Sequence, residues 1–309
     1  MNNLDIAVLL PCYNEQGAVG DTVKAFKESI PSAIIYVYDN NSTDSTIKEA
    51  KEAGAIIRKE CRQGKGEVVR RMFADIQADI YVMADGDNTY DASVCPHLIK
   101  QLTDDNLDMI IGTRSRDLKS YPKGHVIGNK LFSFLVNKAF NSDLEDVFSG
   151  YRVMSNRFVK STPLFSDGFE VETELTVHAL QHKIPIKEIG TTYLSRPEGT
   201  NSKLKTYHDG FRILKFILFL LRDVRPLLFF STLSVLFITI SLLLGTPVII
   251  EYFDSGLVKR FPTAILASSI ALISCFSLFI GLVLDNVSRG RKEQKISNYL
   301  ATSYLKQKE

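Results

Sequence analysis

Two stretches in the last third of the chain, residues 227–250 and 262–284, contain no charged side chain. Each is long enough to cross a bilayer as a helix, which takes about 20 apolar residues. A soluble core helix of that length normally keeps a polar face, so the two runs read as spans. The connector between them, "EYFDSGLVKRF", is short enough to make a hairpin, and its charges cancel: Glu251 and Asp254 against Lys259 and Arg260. The outer flanks are basic, with Arg212, Lys215, Arg222 and Arg225 before the first run and Arg289, Arg291, Lys292 and Lys295 after the second. Basic flanks stay on the cytoplasmic side. A multi-pass protein of the cytoplasmic (inner) membrane is expected, with both ends and the N-terminal domain in the cytoplasm.

Four segments follow. Residues 1–206 are expected to be a catalytic α/β domain, and 207–225 an amphipathic juxtamembrane helix, because Arg212, Lys215 and Arg222 alternate there with Phe and Leu. Residues 226–285 form the hairpin. Residues 286–309 read as a basic tail helix of weaker amphipathic character, or as a solvated, frayed terminus. Asp5 and the Asn14–Glu15 pair interrupt the first apolar stretch, so no secretory leader is expected. The net charge of +2 does not suggest a nucleic-acid partner. Cys12, Cys61, Cys95 and Cys275 form no C-x-x-C pair, so neither a disulfide framework nor a zinc site is expected.

The N-terminal half alternates apolar strands, at 6–10, 34–38, 55–57, 80–84 and 109–112, with helical patterns such as 18–29 and 43–53. Such alternation predicts a mostly parallel sheet with helices on both faces. Ligands of these sheets bind beyond the C-terminal strand ends. Those ends carry "PCYNE", "DNNSTD", "RQGKGE", "DGDNTY" and "GTRS" in turn. Asp85 and Asp87, with only Gly86 between them, would repel each other unless a divalent cation shared them with a ligand's phosphates. Asp39 ends the second strand, where a carboxylate accepts hydrogen bonds from a nucleotide's ribose or base. Ser42 or Thr43 with Asp44 also fits a helix cap there, and the two roles are compatible. No G-x-G-x-x-G follows the first strand, which disfavours a nicotinamide cofactor. "QGKGE" is too short for a P-loop; Lys65 suits a phosphate or a base, and a plain surface turn stays open.

Together, "LLPCYNE", "DNNSTD", "DGD" and "GTRS" resemble the inverting glycosyltransferases of family 2, which have a GT-A fold. "DVFSGYRVMS" (146–155) and "RPEGTNSKL" (196–204) are similar to the polyprenyl-phosphate glycosyltransferases, relatives of dolichol-phosphate mannose synthase. The resemblance covers about residues 4–225, and the hairpin matches a bacterial two-span branch. It implies that Pro11, Tyr13, Glu15, Asp39, Asn41, Lys65 and Asp85 hold the nucleotide. Asp85 and Asp87 would face Mg²⁺ or Mn²⁺ and the diphosphate, with Thr89 where some relatives have a Gln ligand. Asp87, Asp146 and Arg196 would carry the chemistry. Arg114, His125, Asn129 and Lys130 would grip the lipid phosphate, although relatives often place Arg and Ser where His125 and Asn129 stand. Ser149 and Arg152 would line the sugar pocket, and Ser202 and Lys203 would close over the diphosphate. The implied partners are a nucleotide sugar, UDP-linked by family habit, polyprenyl (undecaprenyl) phosphate and the membrane. A homo-oligomer and a flippase acting downstream also fit. Three rivals share parts of the pattern. A GT-A polysaccharide synthase would want a Q-x-x-R-W motif, and the chain has no Trp. A sugar-phosphate nucleotidyltransferase would want a Gly-rich basic first loop. A non-catalytic membrane scaffold would bind the nucleotide sugar without transferring it.

Overall fold

A computed structural model describes residues 4–114, 142–168, 170–192 and 225–305, with the isolated positions 133, 136–138, 140 and 222. The chain divides into two compact units, Met1–Thr206 with Lys295–Glu309, and Tyr207–Gln294.

The first unit is built on a seven-stranded sheet. In chain order its elements are β1 (Ile6–Cys12), α1 (Val19–Ser29), β2 (Ile34–Asp39), α2 (Thr46–Glu52), β3 (Ile56–Lys59), α3 (Lys65–Asp75) and β4 (Ile80–Met83). There follow α4 (Cys95–Asp104), β5 (Met109–Arg114), β6 (Arg152–Ser155), α5 (Asn156–Ser161), α6 (Val171–Gln181) and β7 (Ile186–Thr191). The strand order is β3-β2-β1-β4-β6-β5-β7. Only β6 runs antiparallel to its neighbours, β4 and β5. The sheet is therefore mixed, as in GT-A domains, and the expected parallel half is β3-β2-β1-β4.

Strand β1 is apolar on both faces because both faces are covered. Val8 and Leu10 pack with Val23 and Phe26 of α1 and Leu98 and Ile99 of α4. Ala7 and Leu9 pack on the other side with Val69 and Met72 of α3, Phe158 of α5 and Leu175 of α6. Each strand of the parallel half ends in a polar loop at the same edge: the register pairs Cys12 with Asp39 and Asp39 with Lys59.

The second unit holds α7 (Pro226–Ser255) and most of α8 (Phe261–Ala301). Both helices are long and apolar enough to cross a membrane, and only 11% and 22% of their most apolar windows is buried. Core helices would be covered; here Leu243, Phe253, Phe276 and Phe279 are more than half exposed. The helices meet along a polar seam. Ser274 Oγ donates to the Ser234 carbonyl at 2.8 Å and Ser241 Oγ to the Ala267 carbonyl at 2.8 Å. Inside a bilayer such bonds would join helices where apolar surface gives no driving force for association.

From Lys295 onward the chain belongs with the first unit. Tyr299 donates to Asp108 Oδ2 at 2.5 Å, and the Tyr304 hydroxyl reaches the carbonyls of Leu102 and Leu107 at 3.1 and 2.8 Å. Arg157 pairs with Asp108 at 2.8 Å and stacks on both rings, 4.5 and 5.3 Å from their centroids. Tyr299 and Tyr304 are thus docked rather than frayed. The juxtamembrane segment 207–225 lies almost wholly outside the described residues.

Candidate active site

The first two loops of the parallel edge interlock. Asn14 N donates to Ser42 Oγ at 2.9 Å and Glu15 N to Thr46 Oγ1 at 2.8 Å. In return, Thr43 N donates to Asn14 Oδ1 at 2.8 Å and Ser45 N to Gln16 Oε1 at 3.1 Å. The backbone of "YNEQG" is thereby fixed by the side chains of "STDST". Ser42 and Thr46 brace the first loop; of the cap candidates, Asp44 Oδ1 accepts from Thr46 N at 2.9 Å at the start of α2, while Ser45, at the N-cap, makes no side-chain cap bond. Pro11 lies in β1 opposite Tyr38, and Tyr13 is 38% exposed at the loop's edge.

Asp39 is fully buried. Its Oδ1 accepts from Ser42 N at 3.1 Å, while Oδ2 is buried with no hydrogen-bond partner. A buried acceptor left unmet costs about 1–3 kcal/mol, so this oxygen suits a ligand N–H or O–H. Asn41 stands at φ +66° and donates to the Cys61 carbonyl at 2.9 Å, which holds the third loop. Sequence reasoning missed its neighbour Asn40. That side chain donates to the carbonyls of Glu60 and Arg62 and accepts from Gly64 N at 2.8 Å, setting the turn that leads into Lys65.

Lys65 opens α3 and is not a surface residue. Its ammonium contacts both Asp85 and Glu172. Burial alone would lower its pKa, but the two carboxylates outweigh that and raise it. Glu172, on α6, is 4% exposed and its Oε2 has no hydrogen-bond partner. Sequence reasoning missed it, because nothing in "EVETEL" separates it from Glu170 and Glu174.

The Asp85-Gly86-Asp87 turn follows β4. A Cβ on Gly86 would lie 2.4 Å from Cys12 Sγ, so the close neighbour that demands glycine here is the first strand's own cysteine. Thr22 of α1 donates to the Gly86 carbonyl at 3.2 Å and pins the turn. Asp85 packs against Gly150, where a Cβ would come within 3.0 Å of its Oδ2. Asp87 is 2% exposed, and its Oδ1 accepts from the Thr89 hydroxyl at 2.6 Å. Thr89 thus orients Asp87. Among the described residues, no three His, Cys, Asp or Glu side chains gather into a ready-made metal cage. Mg²⁺ and Mn²⁺ do not need one: one or two carboxylates suffice when phosphates complete the shell. Two hard oxygen donors separated by a single glycine fit an ion held in that way.

Arg114, at the end of β5, forms a two-pronged ion pair with Asp146, Nε to Oδ2 at 2.7 Å and Nη2 to Oδ1 at 2.8 Å. Burial would raise the Asp146 pKa, but Arg114's bonds and charge pull it below the usual carboxylate value. Two residues given separate roles by the resemblance are therefore one unit. Glu188 holds this unit by accepting from the amides of Glu145 and Asp146 at 2.7 and 3.0 Å. Ser149 and Arg152 point into the protein. Ser149 Oγ donates to the Gly112 carbonyl at 2.5 Å. Arg152 is fully buried and donates to the carbonyls of Ser149 and Val147 and to Thr176 Oγ1, at 3.0, 3.0 and 2.8 Å. Burial pushes its guanidinium down to about 10. The two residues shape the 146–151 loop from behind. His125, Asn129, Lys130, Arg196, Ser202 and Lys203 lie outside the described residues.

Residues 7–161 match the model of glycosyl transferase family 2. A protein of Shigella flexneri whose function is uncharacterized is 48% identical over 160 residues, 52% of this chain and 98% of that protein. Glycosyltransferase AglJ of Haloferax volcanii is 33% identical over 210 residues, 66% of this chain and 68% of that one. The dolichol-phosphate mannosyltransferase of Pyrococcus furiosus is 25% identical over 220 residues, 65% of this chain and 60% of that one. Among solved structures, glucosyl-3-phosphoglycerate synthase of Mycobacterium tuberculosis superposes with a TM-score of 0.59 at 19% identity, covering 70% of this chain and 80% of that one. That likeness bears on the fold, and the fold is GT-A. The chain belongs to glycosyl transferase family 2.

Proposed function

We propose that the chain is an inverting glycosyltransferase that moves a hexose or N-acetylhexosamine from a nucleotide sugar to polyprenyl phosphate at the inner face of the cytoplasmic membrane. The observation that carries this reading is the pairing, in one chain, of a carboxylate-lined strand edge with two exposed apolar helices. Such helices would hold the site at the membrane surface, where the phosphate of a lipid acceptor lies. Relatives named as dolichol-phosphate mannosyltransferase and dolichyl-phosphate hexose transferase act on such lipids by their names. A structural neighbour was crystallised with Mn²⁺ and UDP-glucose. That fits a UDP-linked donor and a divalent ion, Mg²⁺ or Mn²⁺.

On this reading Asp39 Oδ2 accepts from the base or ribose, and Tyr13 and Glu15 flank it on the braced first loop. Asp85 and Asp87 would hold the ion, which when bound neutralises charge on the leaving diphosphate. Arg114, oriented by its ion pair with Asp146, is assigned to the phosphates, and Arg196, Ser202 and Lys203 to the diphosphate, by the motifs they share with relatives. The acceptor needs little help from a base. A phosphate monoester has a second pKa of about 6 and is largely ionised at neutral pH. Positioning and charge screening are what it needs. A single displacement at the anomeric carbon inverts it and gives a β-linked lipid-phosphate sugar. The lipid-phosphate grip is assigned to His125, Asn129 and Lys130 with Arg114.

The test is transfer of radiolabel from a nucleotide sugar into an organic-phase lipid by membranes carrying the protein. Wild type is expected to transfer, to stop in EDTA and to recover with Mn²⁺ or Mg²⁺, while Asp87→Asn stays inactive. Full transfer in EDTA would remove the metal from this reading. No transfer from any donor would leave a binding scaffold.

A further inference from the structure

Three charged groups meet beside the Asp-Gly-Asp turn. Lys65 Nζ lies between Asp85 Oδ1 and Glu172 Oε1 and contacts both. The lysine's backbone is held firmly. Cβ atoms on Gly64 or Gly66 would each fall 2.0 Å from a backbone carbonyl oxygen, of Asp167 and Ser166 respectively, and Gly64 stands at φ +141°. Gly66 N donates to the Asp167 carbonyl at 3.1 Å. The two carboxylates differ in setting: the Asp85 side chain is 31% exposed and that of Glu172 is 5% exposed. A buried ion pair is screened less than an open one, so Glu172 is the firmer anchor and Asp85 the partner that can be exchanged. Glu172 Oε2, buried without a hydrogen-bond partner, leaves that anchor with acceptor capacity to spare.

We propose that Lys65 is a resident counter-cation that stands in for the divalent ion at Asp85 when the donor site is empty, so that the ion enters together with the donor's diphosphate. This rests on the nucleotide-sugar reading above. An ion approaching the empty turn meets an ammonium already placed on one of its two carboxylates. A diphosphate changes the balance, because it offers the ammonium a second anion and the ion further oxygen ligands. Lys65 then leaves Asp85 while Glu172 keeps it at the site. Ion and nucleotide bind with positive coupling, and the coupling is reciprocal.

The test is Mn²⁺ binding to the full chain in detergent, followed by the paramagnetic resonance signal of free Mn²⁺, with and without UDP. Wild type is expected to bind Mn²⁺ weakly alone and much more tightly with UDP. Lys65→Met combined with Glu172→Gln removes both members of the buried pair, so neither is left behind as a lone charge, while Arg152, whose charge Glu172 also offsets, keeps its bonds to Val147, Ser149 and Thr176. This double variant is expected to bind Mn²⁺ without UDP at least about tenfold more tightly than wild type, since one unit charge next to a carboxylate is removed. UDP should then add correspondingly less. Glu172→Gln alone keeps the ammonium on Asp85 and is expected to give no gain, a contrast that a merely structural effect would not produce. Unchanged or weaker UDP-free binding in the double variant overturns the counter-cation role. If wild type fails to bind Mn²⁺ even with UDP, the nucleotide-and-metal reading falls, and this proposal with it. If wild-type binding with UDP is intact and only the Lys65 comparison fails, the reading stands without the counter-cation.

Discussion

Asp39 carries two separable duties on its two oxygens. Oδ1 holds the second loop through Ser42 N, and Oδ2 waits for a donor. Asp39→Asn can keep the first bond with its amide oxygen but puts an N–H₂ where the ligand's own N–H would point. Hydrogen bonds to charged groups are worth about 1.5–3 kcal/mol. The donor KM should therefore rise at least about tenfold, with the melting temperature little changed; an unchanged KM would take the nucleotide away from Asp39. Gly86 tests the same edge sterically. Gly86→Ala drives a Cβ to 2.4 Å from Cys12 Sγ, and overpacking of this kind costs about 1–3 kcal/mol. Adding Cys12→Ala removes the sulfur and should restore most of the stability; failure to restore it would mean that backbone conformation, not packing, fixes the glycine. Asp39, Asp85 and Asp87 are legible in the sequence because each follows an apolar run in a polar, turn-forming loop. Arg152 is misleading for the converse reason. An arginine in a polar motif normally faces solvent, and it takes the folded carbonyls of Val147 and Ser149, the Thr176 hydroxyl and the nearby charge of Glu172 to make its burial tolerable.

Most of the parallel half of the sheet is legible as elements, because β1, β2 and β4 are largely apolar and the helices between the strands are amphipathic. Strand β6 is not. Its four residues are fully buried and begin with a charged one, and its antiparallel direction depends on the return of the chain from β5. Helix α6 is also hard to read, since it is buried on most sides, polar residues included: Glu172, Thr173, Thr176 and His178 are all 5% exposed or less. His178 packs on Phe158 and His182. Burial, then the charges of His182 and Lys295, lower its pKa to about 3. The sign follows from linkage. Below about pH 6.5 the unfolded chain takes up a proton that the folded protein refuses, so stability falls as pH drops toward 3, by up to roughly 1.4 kcal/mol per unit. His178→Leu should flatten this acid limb, seen as a smaller loss in thermal midpoint between pH 7 and 5. An acid limb identical to wild type would mean that other groups set it.

At the scale of the whole molecule, the last residues of α8 and the turn after it complete the catalytic unit instead of trailing from the hairpin. The Asp108–Arg157–Tyr299–Tyr304 cluster is invisible in sequence because its members lie up to 196 residues apart in number, from 108 to 304. Tyr304→Phe removes a hydroxyl that meets two backbone carbonyls and should cost about 1 kcal/mol. Removing residues 295–309 deletes both ring contacts of Arg157 as well and should cost at least about 2 kcal/mol, read as a lower melting temperature of the catalytic unit. A truncated chain as stable as the whole would show that the cluster is incidental. The two long apolar helices, in contrast, are the most legible part of the chain, since length and freedom from charge mark them in the sequence.

The central claim is that this family 2 domain delivers sugar to a lipid phosphate. The most direct measurement incubates the purified full chain with undecaprenyl phosphate, Mn²⁺ and a panel of nucleotide sugars, and examines the organic phase by mass spectrometry. The account predicts one lipid species heavier by a single glycosyl unit, formed from one donor of the panel and absent with Asp87→Asn. Free nucleotide released with no glycosylated lipid, or sugar appearing only on a water-soluble acceptor, would contradict it.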